Sequence, residues 1–171
     1  MKQEATIFRT LSVSEGRTLL FAAIFTIGNI LLPQLCHLVP NGGQTWLPIY
    51  FFTLVGAWLY GWQLGLLVAF ASPLVNSLLF GMPATAALPA ILIKSSLLAL
   101  AAAWAAERYH KVSIPLLLLV VLGSQIVGCL AESLLIGSFV AGFQDFRIGI
   151  PGMLLQIIGG FIVIRWLAKK L

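Results

Sequence analysis

The chain has 171 residues, of which 60% are hydrophobic and only 9% charged, with a mean hydropathy of +1.04. A water-soluble domain carries about 25% charged residues, so too little polar surface exists here to cover one, and the length fits a single membrane domain over 1–171. The net charge of +5 comes from ten basic residues scattered around apolar runs rather than gathered in a stripe, which argues against a nucleic-acid partner and for positive-inside topology.

A helix of about 20 apolar residues crosses a bilayer. Six spans are predicted, over 17–38, 46–60, 62–80, 86–106, 113–138 and 148–167. The first dozen residues are polar and predict a short interfacial helix, with Ser14, Glu15, Gly16 and Arg17 at the water boundary. The first apolar run lacks a small-residue cleavage site and reads as a retained span rather than a signal peptide. The second, WLPIYFFTLVGAWLY, is short and aromatic and meets the third through GW. The joint ERYHK separates the fourth from the fifth. The expected fold is an all-α, polytopic bundle of six transmembrane helices.

The charges orient it. Lys2, Arg9, Arg17, Arg108, Lys111, Arg165, Lys169 and Lys170 fall on one side and Arg147 alone on the other. Positive-inside topology therefore predicts both termini in the cytoplasm.

Lys94 lies inside the fourth span, where a lone ammonium facing lipid would cost about 2.5–3.5 kcal/mol or more. With the topology above, Lys94, Glu132, Gln156 and Asn76 all fall in the outer half of the membrane. Helical spacing supports the convergence. Gln125, Gly128, Cys129 and Glu132 share a face of span five. Gly149, Gly152, Gln156 and Gly159 nearly share one on span six, and Gly65, Ala69, Ser72 and Asn76 on span three. Small residues let helices approach closely and turn the occasional polar side chain inward. Lys94 and Glu132 are then either a register-setting ion pair or ligand contacts. A buried pair is a poor stabiliser, which favours the second. An ammonium there suits a ligand carboxylate or carbonyl, and Glu132 suits a donor group. Gln125 reads as an interhelical hydrogen bond.

The outer loops LCHLVPNGGQTW, FGMPATA and GSFVAGFQDFRIGIPG mix Gly and Pro with polar and aromatic residues, as lids over a cavity do. His37 is a candidate ligand contact or a solvated helix-end residue. Trp46 and Tyr50 either stack on a planar ligand or belong to the interfacial aromatic belt. Asp145 and Arg147 are expected to pair within their loop, or to form a gate. Cys36 and Cys129 lack metal or redox spacing and read as packing residues. No phosphate-binding GxxxxGK[ST], HExxH or GxSxG occurs, so no metal, cofactor or enzymatic activity is expected, and uphill transport would need energy from a partner.

The stretch LPIYFFTLVGAWLYGWQLGLLVAFASPLVNSLLFGMP, with a polar-interrupted span after it, resembles the substrate-binding S components of energy-coupling factor (ECF) vitamin transporters. The motif order is P-I, then G-A-x-L-x-G-W-x-x-G, then S-P-L-x-x-S-L-L-x-G-M-P. The resemblance implies a binding subunit in the bacterial cytoplasmic membrane that captures a water-soluble vitamin or precursor in an outward pocket. It also implies docking to a membrane T component driven by two cytoplasmic ATPases. The family docks through an A-x-x-x-A motif on span one, and Thr18, Ala22 and Thr26 stand at that spacing with threonine in place of alanine. The alternative is a cell-wall-organising membrane scaffold of similar fold, which needs no polar cavity.

Overall fold

Apolar runs with proline in the first turn and glycine after the last dictate helices with defined ends. A computed structural model bears this out over residues 16–170, the residues the structure describes. The expected interfacial helix, with Lys2 and Arg9, lies outside them. All described elements are helical: α1 (Gly16–Cys36), α2 (Gly42–Trp46), a 3-10 turn (Pro48–Tyr50), α3 (Phe51–Tyr60), α4 (Trp62–Phe80), a 3-10 turn (Thr85–Ala87), α5 (Leu88–Tyr109), α6 (Ile114–Ile136), α7 (Phe139–Gly142), α8 (Gln144–Ile148) and α9 (Ile150–Ala168). Pro89, Pro115 and Pro151 open α5, α6 and α9, where a missing N–H leaves no bond unmade.

Five helices are long and apolar enough to cross a membrane: α1, α4, α5 with its leading 3-10 turn, α6 and α9. The second expected span, over 46–60, differs. The ten residues of α3 and the three of its 3-10 turn rise only about 20 Å, against a hydrocarbon core of about 30 Å. Its position explains its composition. Every residue of α3 except Phe52 is buried, because α1, α4, α5 and α9 pack around it. A helix apolar on all sides belongs in the middle of a bundle. Gly61 turns the chain from α3 straight into α4 at φ 89, a backbone state open to glycine at little cost.

The outward faces carry large apolar side chains, among them Leu20, Ile24, Leu78, Leu119, Leu134 and Ile162, all more than half exposed. Such a belt suits lipid rather than water.

A buried polar hub locks α1 to this core. Asn29 donates from Nδ2 to Thr53 Oγ1 at 3.0 Å and Ser72 Oγ at 3.1 Å. Its Oδ1 accepts from the backbone N–H of Phe52 at 3.0 Å, in the first turn of α3, where backbone donors lack a full set of helical partners. Asn76 Nδ2 donates to the carbonyls of Asn29 and Ser72, both at 3.0 Å. Inside an apolar bundle each of these groups needs such a partner.

Candidate functional site

Lys94 projects from α5 between α6 and α8. Its ammonium lies 2.5 Å from Glu132 Oε2 and 2.9 Å from Asp145 Oδ2. These are the ion pairs among the described residues, and they use two of the chain's five acids. Room for the lysine stem comes from Gly128 on α6, where an added Cβ would sit 2.5 Å from Lys94 Cγ. Burial is graded across the triad: Lys94 is 2% exposed, Glu132 12% and Asp145 33%. The cation is therefore at the back and the carboxylates stand in front of it.

In front of them is a cavity of about 470 Å³. It opens where α1, α4 and α6 end and α3 and α5 begin. Glu132 and Asp145 form one side, Pro33 and His37 from the end of α1 another, and the 81–84 loop with Ile91 a third. Gly43, Gln44, Leu47, Tyr50 and Asn76 also line it. All three Gly/Pro-rich loops singled out in the sequence thus contribute to it, and its size falls in the ordinary range for small-molecule sites, roughly 300–1,000 Å³.

The α2 segment is held in place by close packing on α9. A Cβ at Gly152 would overlap the Trp46 carbonyl group, and one at Gly149 would lie 2.6 Å from Leu47 Cδ1. Leu47 itself adopts φ 45, uncommon for a bulky side chain, and stays buried. His37 is fixed by its own helix: Nδ1 lies 2.6 Å from the Pro33 carbonyl oxygen. A carbonyl only accepts, so Nδ1 carries the hydrogen and a neutral ring leaves Nε2 as an acceptor.

The expected site residues divide accordingly. Glu132, Asn76, Tyr50 and His37 line the cavity. Lys94 does not; it is shielded behind its two acids, so the expected contact between its ammonium and a ligand carboxylate is not the arrangement found. Asn76 spends both amide hydrogens on backbone carbonyls and accepts at Oδ1 from Gln34 at 3.4 Å, so its main work is bracing α1 against α4. Gln156 is buried on α9 away from the cavity wall, and Trp46, 40% exposed, is not part of the wall either. Gln125 is buried on α6, but its Nε2 has no hydrogen-bond partner, so the expected interhelical bond from that amide is not made.

Two further expectations are corrected. Asp145 pairs with Lys94 across the fold and not with Arg147, which is exposed. Thr18 and Ala22 are buried and Thr26 half-buried, so the small-residue triplet packs into this chain's own bundle instead of presenting a free face. It shares that face with Phe25, Asn29 and Pro33.

Asp145 and Asn29 were the residues sequence reasoning missed in these roles. Asn29 had a signal: it is a polar residue on the Thr18–Ala22 helical face of an apolar run. Asp145 had only its loop position. No family model, curated protein or solved structure matches the chain.

Proposed function

We propose that the chain is the membrane-embedded binding subunit of an uptake system for a small water-soluble molecule of vitamin size. The observation that carries this reading is the cavity of about 470 Å³ with carboxylates in its wall, set at one end of an apolar helical bundle. Ionisable groups set within an apolar bundle and facing a cavity mark a ligand path more often than a packing solution. A scaffold has no need of it.

The charge distribution supports an orientation. Arg17, Arg108, Lys111, Arg165, Lys169 and Lys170 gather at the end opposite the cavity, and Arg147 stands at the cavity end. Positive-inside topology then places the cavity outside and both termini in the cytoplasm, with α2, its 3-10 turn and α3 together acting as the second of six crossings. The setting proposed is the bacterial cytoplasmic membrane. The sequence has no phosphate-binding loop, so transport would be driven by a membrane T component and two ATPases, as in the family it resembles. Contact with such a partner through α1 falls to its outward face, where Ala23, Ile24, Ile27 and Leu31 are exposed.

Native mass spectrometry of the gently purified protein tests the reading. A stoichiometric small polar molecule is expected. Recovery of lipid alone, with no thermal stabilisation by a panel of vitamins, would favour the scaffold. Labelling of single cysteines placed at Ala84 and Lys111 in intact cells checks the topology, with only the first expected to react with an impermeant reagent.

A further inference from the structure

We propose that the cavity selects a ligand whose polar end is a cationic nitrogen, either an amine or a charged heteroaromatic nitrogen, held against Glu132 and Asp145. The inference rests on the ligand-capture reading above and specifies its substrate class.

Three observations carry it. First, each carboxylate spends one oxygen on Lys94, Oε2 of Glu132 and Oδ2 of Asp145. No described residue hydrogen bonds to Glu132 Oε1 or Asp145 Oδ1, and both residues line the cavity. Two acids thus share one lysine, and among the described residues neither carboxylate has a second basic partner. Second, the positive charge is on the far side of that layer: Lys94 is 2% exposed and its stem is wedged over Gly128. A ligand in the cavity approaches the anions first, and a carboxylate would meet two like charges. Third, the neutral side chains of the wall have few hydrogens left to donate to an anion. His37 uses its Nδ1 hydrogen on Pro33, and Asn76 uses both amide hydrogens on backbone carbonyls. The Tyr50 hydroxyl and Gln44 amide are the neutral side-chain donors remaining there. Leu47, Ile91 and Met82 supply the apolar surface for the body of the ligand, and the Tyr50 ring suits a cation at its face.

The test uses the full chain in phosphatidylcholine nanodiscs, a zwitterionic lipid that does not itself concentrate cations. The probes are matched in size: benzyltrimethylammonium, benzylamine, benzyl alcohol and benzoate, titrated against thermal unfolding, alongside mass spectrometry of whatever small molecule co-purifies. The two cations are expected to stabilise the protein and benzoate is not. Asp145→Asn and Glu132→Gln should each weaken the cation response at least tenfold, while Arg147→Gln leaves it unchanged. Asp145 is the more exposed acid, so its variant keeps the test open if Glu132→Gln folds poorly. Stronger stabilisation by benzoate, cation binding unaltered in both acid variants, or a co-purifying carboxylate would overturn the charge assignment and leave ligand capture standing. If no probe stabilises the protein, a co-purifying cation still supports the inference. Lipid alone with no responding probe removes the capture reading and this inference with it.

Discussion

Replacing Lys94 with methionine is the sharpest perturbation of the triad, because the three members are buried to different depths. Removing the ammonium leaves Glu132 with Oε2 sealed from solvent and no hydrogen bond of its own, and stranding one charge of a buried pair costs about 3–5 kcal/mol. Asp145 adds little to that, since at 33% exposure it turns toward water. Glu132→Gln is milder. Lys94 keeps Asp145 at 2.9 Å, and the loss is that of one close ion contact, about 1.5–3 kcal/mol, the range for contacts to a charged group. Asp145→Asn leaves the deeper pair at 2.5 Å intact and costs about 0.2–1 kcal/mol, as part-exposed ion pairs do. The expected order of destabilisation is therefore Lys94→Met, then Glu132→Gln, then Asp145→Asn. The double variant Lys94→Met/Glu132→Gln strands no charge in the interior. It should be no less stable than Lys94→Met alone, which gives a coupling energy of about 2 kcal/mol or more. Unfolding in mixed detergent–SDS micelles measures all four. Additive losses in the double variant, or Lys94→Met as mild as Asp145→Asn, would refute the argument that Glu132 depends on the lysine.

Four other perturbations have definite outcomes. Asn29→Leu deletes three hydrogen bonds, two of them fully buried, and should cost about 2 kcal/mol at the modest strength such bonds have between membrane helices, read by the same unfolding assay; a loss below a quarter of that would mean the hub is dispensable. Gly152→Ala pushes a methyl into the Trp46 carbonyl, which is backbone and yields little, so about 1–3 kcal/mol of overpacking is expected, together with weaker ligand stabilisation as α2 lifts from α9. Gly128→Ala meets the lysine stem at 2.5 Å and should displace Nζ from its acids, visible as reduced coupling in the cycle above. Arg147→Gln, at an exposed residue with no ion pair among the described residues, should stay within about 0.5 kcal/mol of the parent protein; a larger loss would restore the loop pairing with Asp145.

The helices were legible because their signal is local. Each apolar run sets its own length, and proline and glycine set its ends, so five spans were placed within a few residues. The faces of α4 and α6 were legible for the same reason: Gly65, Ala69, Ser72 and Asn76, and likewise Gln125, Gly128 and Cys129, repeat at helical spacing and are all buried.

What tertiary structure decided is which face meets which neighbour. Composition cannot tell a short crossing from a helix enclosed on every side, so the central burial of α3 emerged only from the packing of α1, α4, α5 and α9 around it. Thr18 and Ala22 have the same spacing whether they face a partner subunit or their own bundle, and the Asn29 hub turns them inward. The partners of Lys94 lie on α6 and α8, and Asp145 is 51 residues away along the chain. No local pattern encodes that distance. It follows from where α8 lands once α6 and α9 have packed, and that landing decides that the cavity presents carboxylates with the ammonium behind them.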